Sequence, residues 1–405
     1  MTKTVLIASH VFRNKALEEE VAVVVEDGSI IDIQPVSKLY RKNYDHVYDL
    51  HGCTLLPGLV DAHIHLGPET QPQVIQGHVV ARLLESSNLK LIKATVDVNN
   101  LLQAGFTAAR DVGGVRALDI KVAIDLGLIP GPRMRCTGKV LTTVGGLEDH
   151  PYLPLGLATE LSDLARPCSD PTDCIRAVRE QRRLGAEIIK VFVTGYDSLQ
   201  QFSDDEVQTI AAEAHRFGMP VCAHAFGGTA VGAAVRAGCY TIEHGSYMTE
   251  ADCKLMAEKG TIFVPDLAFA HVYANLTEAE APVEWRQLEQ KRLEEMKERT
   301  RMAYEMGVKI AAGTDFGLRA FTRHGSENIL AMLLLQQAGL STLDVLMAAT
   351  IHGAETLKLA HVIGKVEPGY YADLVAVAGN PVDHLEDLRN VCFVMKEGEV
   401  VINKL

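Results

Sequence analysis

His63 and His65 flank a single isoleucine, directly after the apolar run Leu-Pro-Gly-Leu-Val-Asp-Ala at 56–62. Residues two apart on a strand point to the same side, so both imidazoles would face one interior and could share a cation. Lys190 interrupts another apolar run, Glu-Ile-Ile-Lys-Val-Phe-Val at 187–193. A buried ammonium is costly unless paired. A buried ion pair would explain it; so would a neutral amine, which burial favours and which can add CO2. The resulting carbamate is a carboxylate able to bridge two cations. His224 and His244 stand near the ends of Pro-Val-Cys-Ala-His-Ala-Phe (220–226) and Cys-Tyr-Thr-Ile-Glu-His-Gly (239–245). Asp315 closes Lys-Ile-Ala-Ala-Gly-Thr-Asp (309–315). Singly, each of the six has a plain structural explanation, such as a satisfied core histidine or a turn aspartate. Their common placement does not.

That placement comes from the elements around them. Short apolar runs alternate with helical patterns from about residue 55 to 360. The runs fall at 55–62, 106–112, 133–140, 187–193, 220–226, 239–245, 261–267 and 309–315. Near-continuous hydrophobicity within a strand indicates burial on both faces, as in a parallel sheet. Ser203 followed by Glu206 has the spacing of a capping box opening a helix near 203–215. Eight strands alternating with helices predict an α/β fold, a (β/α)8 TIM barrel. Active sites of such barrels sit at the C-terminal strand ends, and the six residues fall at the ends of strands 1, 4, 5, 6 and 8.

The two ends of the chain differ from the middle. Residues 20–33 and 362–402 carry the alternation and glycine turns of antiparallel strands, but neither end is long enough to be a confident domain alone. Pairing them predicts a small β-sandwich from 1–56 and 361–405, with the barrel, 57–360, inserted between. The chain has 405 residues, 47% hydrophobic and 22% charged, with a net charge of −13. No clustered basic face accompanies that charge, so no nucleic acid partner is expected. No run approaches the roughly 20 apolar residues of a membrane span, and the start lacks a secretory signal pattern. Eight scattered cysteines without a C-x-x-C pair suggest reduced thiols and a cytoplasmic setting.

With these residues in view, the sequence resembles the amidohydrolase superfamily of the binuclear, carboxylated-lysine type. The likeness rests on Leu-Pro-Gly-Leu-Val-Asp-Ala-His-Ile-His (56–65), Ile-Lys-Val-Phe-Val-Thr-Gly (189–195), Ala-His-Ala-Phe-Gly (223–227), Thr-Ile-Glu-His-Gly (241–245) and Ala-Gly-Thr-Asp-Phe-Gly (312–317). Within the superfamily it is similar to prolidase-like and ochratoxinase-like members, relatives of imidazolonepropionase that act on dipeptides or N-acyl amino acids. The resemblance implies two divalent metal ions, for which zinc suits the ligand set. One would be held by His63, His65, Asp315 and carboxylated Lys190, the other by the same CO2-derived carbamate with His224 and His244. It implies a bridging water made acidic by the metals, with Asp315 as general acid/base and His244 helping to orient the carbonyl. A small-molecule substrate and a homo-oligomeric state are further implications.

Some positions depart from those relatives. Gly-Gly-His after strand three and Ala-His-Ala-Tyr on strand five help them bind a substrate carboxylate; here Leu147 and Phe226 occupy the donor positions. His150 and Tyr152 are near enough in sequence to substitute, and Tyr196 stands at the rim after strand four. Arg323, His324 and Asn328 follow strand eight as further candidate substrate contacts, and Arg110 and Asp111 are polar candidates after strand two. The apolar replacements point to a less polar substrate or one without a free carboxylate. A lactone, carbamate or cyclic-amide hydrolase on the same centre stays open, although cyclic amidases tend to follow the strand-eight aspartate with His-Ala-Pro rather than Phe316 and Gly317. A non-enzymatic scaffold would be expected to have lost ligands, and all six are present.

Overall fold

The structure, a computed structural model, describes residues 2–67, 85–149, 154, 162–195, 198–317 and 321–405. His150, Tyr152 and Tyr196 lie outside them. The chain opens with strands β1 (Lys3–Arg13), β2 (Ala16–Glu26), β3 (Ser29–Pro35) and β4 (His46–Pro57), and ends with β14 (Leu374–Ala378), β15 (Val391–Lys396) and β16 (Glu399–Asn403). These form one seven-stranded sheet in the order β16-β15-β14-β4-β1-β2-β3. Strand β4 is the seam between the two ends: it runs parallel to β1 and antiparallel to β14, with Leu56 opposite Val375. A separate apolar cluster takes Leu6, Val23 and Ile30 from one end and Leu374, Phe393 and Met395 from the other. The expected union of the chain ends is therefore built by direct strand pairing.

Between them run β5 (Leu59–Ile64), β6 (Phe106–Asp111), β7 (Arg133–Cys136), β8 (Val140–Thr143), β9 (Ala165–Cys168), β10 (Ile189–Phe192), β11 (Val221–Gly227), β12 (Thr241–Tyr247) and β13 (Ile262–Val264). They form two all-parallel sheets, β5-β6-β7 and β13-β12-β11-β10-β8-β9. Helices alternate with them: α1 (Ser87–Gln103), α2 (Arg116–Asp125), α3 (Pro171–Leu184), α4 (Asp204–Arg216), α5 (Ala230–Arg236), α6 (Glu250–Lys259), α7 (Leu267–Ala274) and α8 (Val283–Glu305). Three more follow, α9 (Leu330–Gln337), α10 (Thr342–Ala348) and α11 (Ile351–Thr356). The box at Ser203 is formed as expected: Glu206 N donates to Ser203 Oγ, and Ser203 N donates to Glu206 Oε2 at 2.8 Å.

Two expected strands differ. The run at 133–140 divides into β7 and β8, because Gly138, at φ 68°, turns aside to bridge Gly114. The run at 309–315 is no regular strand, yet it links the edges of both sheets. Ile310 bridges Phe263 in β13, Ala62 N donates to Ala312 O at 2.8 Å, and Phe316 bridges Ile64. Strand β9, which lies beside β8, was not expected.

A buried carboxylate fastens that irregular segment. Asp61 accepts from Thr314 N at 3.1 Å, Thr314 Oγ1 at 2.8 Å, Asn328 Nδ2 at 2.8 Å and His63 N at 3.2 Å. Hydrogen bonds to a charged acceptor are worth roughly 1.5–3 kcal/mol each, and buried donors left unpaired cost similar amounts. Asp61→Ala is therefore expected to lower unfolding free energy by about 3 kcal/mol or more, read from the denaturant midpoint. A loss below about 1 kcal/mol would show that the segment is held by packing instead.

Candidate metal centre

One cavity of about 210 Å3 is lined by His63, His65, Lys190, His224, His244 and Asp315, together with Phe226. The strands explain the convergence. On β5, His63 and His65 do share a side, with ring centroids 5.5 Å apart. Lys190 on β10 is paired with Cys222 on β11, and His224 stands two residues further on, so all three side chains share a face. Glu243 on β12 pairs with His224 and joins that face. Strict alternation would then send His244 outward. It reaches the cavity because its backbone turns left-handed within β12, at φ 72°, and its ring centroid lies 4.4 Å from that of His224. Asp315, at φ 60°, breaks step in the same way.

The ring nitrogens are oriented from behind. His63 Nδ1 donates to Glu243 Oε2 at 2.8 Å, and His65 Nδ1 donates to Gly113 O at 3.1 Å. Each ring thereby turns Nε2 inward, 3.4 Å and 3.2 Å from Asp315 Oδ1 respectively. Glu243 is itself gripped by Arg110, whose Nη2 donates to Oε1 at 2.8 Å and Oε2 at 2.9 Å. Arg110 lies within β6 rather than after it, only 1% exposed, so its role is internal.

Close approach at the end of this face depends on Gly317, at φ 89°. A Cβ there would sit 1.6 Å from His65 O. His324 and Asn328 were expected to meet substrate, but neither is among the residues lining the cavity. Both are buried behind β5: His324 Nε2 donates to His65 O at 2.8 Å, and Asn328 Nδ2 donates to Asp61. Their hydrogen-bonding capacity is spent on fixing the His63–His65 strand. Arg323 is exposed and also away from the cavity lining. Asp111 is buried against the N–H of Gly113, and burial pushes its carboxyl up to about 6.

Two buried carboxylates at the centre were not singled out in the sequence, Glu243 and Asp266. Glu243 lay inside the Ile-Glu-His run, where an acid in an apolar strand is a signal of the same kind as Lys190. Asp266 stands next to the end of the seventh run, just past β13. Its Oδ2 lies 3.0 Å from His63 Nδ1 and 3.2 Å from His244 Nδ1. Burial pushes Asp266 up to about 7, against the pull of His63. Burial also pushes His224 and His244 well below the usual imidazole range, helped by Lys190 at the first and by His224 at the second. His63 goes the other way: burial opposes its charge, but Asp266 and Asp315 together hold it well above the ordinary value. Asp315 is held well below the usual carboxylate range, burial being outweighed by His63 and His65.

Cations fit this arrangement. His63, His65 and Asp315 present ligand atoms within 4.8 Å of one another, as do His63, His244 and Asp266. Lys190 Nζ and His224 Nε2 are buried with no hydrogen-bond partner among the described residues. Buried polar atoms aimed into a cavity without partners are rare unless a ligand supplies them. Three imidazoles face a backbone or carboxylate oxygen at Nδ1, and His63 and His65 turn Nε2 toward Asp315, the arrangement usual for histidines that bind metal.

Comparison with known proteins gives the family. The amidohydrolase family matches residues 54–401. The chain belongs to that family and is a hydrolase acting on carbon–nitrogen bonds. It is 29% identical to ochratoxinase of Aspergillus niger over 413 residues, covering 96% of this chain and 83% of that protein. The crystal structure of a Xaa-Pro dipeptidase with methionine bound in its active site superposes with a TM-score of 0.88 at 29% identity, over 99% of this chain and 100% of that one. The crystal structure of the Aspergillus niger ochratoxinase gives a TM-score of 0.88 at 25% identity, over 99% of this chain and 96% of that one.

The Arg110–Glu243 pair makes a stability prediction. Removing one member of a buried pair leaves the other charged and unpaired, at about 3–5 kcal/mol, whereas apolar replacement of both is often neutral. Arg110→Met is expected to destabilise by that order, and Arg110→Met with Glu243→Leu by less. Thermal or denaturant unfolding of the two variants checks it; a double variant worse than the single would refute the pairing account.

Proposed function

We propose that this protein is a two-metal amidohydrolase cleaving the amide bond of a dipeptide or N-acyl amino acid. The observation that carries it is the convergence of His63, His65, Lys190, His224, His244 and Asp315 on one cavity, with Lys190 Nζ and His224 Nε2 buried and unpartnered. The parallel sheets and the 310–316 segment are read as one closed (β/α)8 barrel, residues 57–360. The terminal strands, 1–56 and 361–405, are read as the β-sandwich. Eight buried free thiols support a reducing, cytoplasmic compartment.

In this reading the Lys190 amine adds to CO2 and loses a proton, giving a carbamate that serves both metal positions. His63, His65 and Asp315 complete one position; His224 and His244 complete the other. When bound, two zinc ions supply Lewis acidity toward the scissile carbonyl and raise the acidity of the attacking water. Asp315 turns Oδ1 to His63 and His65, which leaves Oδ2 to take the proton from that water and return it to the leaving amine. His244 orients the carbonyl.

The walls support the substrate class. Leu147, Leu164, Phe192, Phe226, Phe269, Trp285 and Met296 make them largely apolar, which suits a bulky side chain or acyl group. Leu147 and Phe226 line the cavity, so the donors missing at those positions are not supplied there. A cation stands elsewhere in the lining: Arg292 of α8, paired with Glu289 at 3.6 Å, lies with Cζ 5.2 Å from the Phe226 ring centroid, and Phe226 lies 4.5 Å from the His224 ring. A guanidinium in the cavity lining is the bidentate partner that a substrate carboxylate would take. This favours amide substrates bearing a carboxylate. The apolar Leu147 and Phe226 favour the second reading, a lactone, carbamate or cyclic-amide hydrolase.

A screen of zinc- and bicarbonate-loaded protein over N-acyl amino acids, dipeptides, their carboxamides, lactones and cyclic amides separates the two. N-acyl amino acids are expected to be turned over fastest; loaded protein inactive on every amide would sink the proposal. Arg292→Ala should raise KM for carboxylate substrates about tenfold to a hundredfold while leaving their carboxamides within threefold. Lys190→Ala is expected to hold less than two equivalents of metal, by elemental analysis, and full occupancy with full activity would exclude the carbamate.

A further inference from the structure

Asp266 is placed by the chain where an aspartate ordinarily caps a helix, immediately before α7. It does not cap. Its side chain makes no bond to the α7 backbone, and its own backbone sits in the left-handed region at φ 53°. The carboxylate instead turns inward, 1% exposed, to lie against the ring edges of two histidines, one from β5 and one from β12. Neither Oδ1 nor Oδ2 meets hydrogen-bonding geometry with a described residue, and Oδ2 stands at ion-pair distance from the two Nδ1 atoms. The approach is close enough that a Cβ on Gly313 would fall 2.9 Å from Asp266 Oδ1 and 2.9 Å from His63 Cβ.

The two histidines it touches belong to different metal positions in the function proposed above, on which this inference rests. His63 has a second acceptor for Nδ1 in Glu243, which Arg110 holds in place. His65 has the Gly113 carbonyl. For His244 Nδ1 the carboxylate in reach is Asp266 Oδ2. We infer that Asp266 is a positioning residue for both metal positions: it keeps His244 in the tautomer that carries its proton on Nδ1 and presents Nε2 to the cavity, and it steadies His63 from the same oxygen. Since His63 keeps Glu243, loss of the Asp266 charge falls chiefly on the position completed by His224 and His244.

The experiment uses full-length protein. Calorimetric titration of metal-free wild type and Asp266→Asn with Co2+ in bicarbonate buffer reads the two binding steps, and the visible Co2+ absorption reads the ligand geometry. In Asp266→Asn one step is expected to weaken about tenfold to a hundredfold and the other to stay within threefold, with a shifted absorption band and unchanged stoichiometry. Unchanged affinities overturn the inference. So does a fall to one equivalent, which would make Asp266 a direct ligand. A second measurement needs no variant: 15N–1H spectra of histidine-labelled, zinc-loaded wild type should show His244 protonated on Nδ1, and protonation on Nε2 would refute the assignment. Wild type that takes up no divalent metal overturns the two-metal reading as well, and that result is seen before any variant is made.

Discussion

The Glu243 carboxylate, shared between the Arg110 guanidinium and His63 Nδ1, is the interaction on which the centre of this protein depends. It joins β12, β6 and β5 across the sheet interior, where all three groups are essentially excluded from water. Such a network is poor as a stability device, since desolvating the charges consumes most of what their attraction returns. Its physical value is directional. With Arg110 occupying both carboxylate oxygens and Ala62 O and Thr241 Oγ1 fixing the guanidinium, Glu243 has one geometry, and so has the ring it holds. The same logic recurs behind His65, where His324 and Asn328 connect the His65 carbonyl to Asp61. A rigid rear surface lets the inward-facing atoms remain poorly satisfied.

That rear surface would serve little if strands kept their alternation to the end. Three non-glycine residues at the centre, His244, Asp266 and Asp315, have φ between 53° and 72°. A left-handed residue with a Cβ costs roughly 1–2 kcal/mol, and three of them in one place are tolerated only because the surroundings dictate the conformation. The strain has a common geometric result: each side chain is redirected from the helix layer into the cavity. Glu243 and His244, consecutive in sequence, can therefore both face inward, one as support and one as candidate ligand. The irregular 309–315 segment ends on one of these residues, Asp315.

These redirected residues also explain what could be read from the sequence. The six strand-end residues were legible, because histidines, a lysine and an aspartate at the ends of apolar runs violate the pattern of a buried strand. The union of the chain ends was legible from their shared antiparallel character. Glu243 was hidden beside a more conspicuous histidine, since simple alternation assigns neighbours to opposite faces. Asp266 was hidden because an aspartate opening a helix has an ordinary explanation, and its failure to cap depends on tertiary packing. His324 and Asn328 were misplaced for a related reason: a polar loop after a strand end suggests a rim, and nothing local reveals that the loop folds under β5. Trp285, Glu289, Arg292 and Met296 line the cavity at helical spacing on one face of α8. Their spacing was visible in the sequence; that this face of α8 covers the site was not.

The division between strand ends and α8 has a chemical consequence. The groups suited to metals and proton transfer come from backbone positions locked by buried hydrogen bonds, so they tolerate little displacement. Part of the wall comes from α7 and α8, which contribute Phe269, Trp285 and Arg292. A change of size or charge on α8 can alter which amide fits without moving a ligand atom. Helix α7 is the exception, because Asp266 immediately precedes it. A shift of its first turn would carry that carboxylate with it, away from His63 and His244. The wall nearest the histidines is thus mechanically joined to their support, while the wall bearing Arg292 is not, and variation in substrate choice should concentrate on α8.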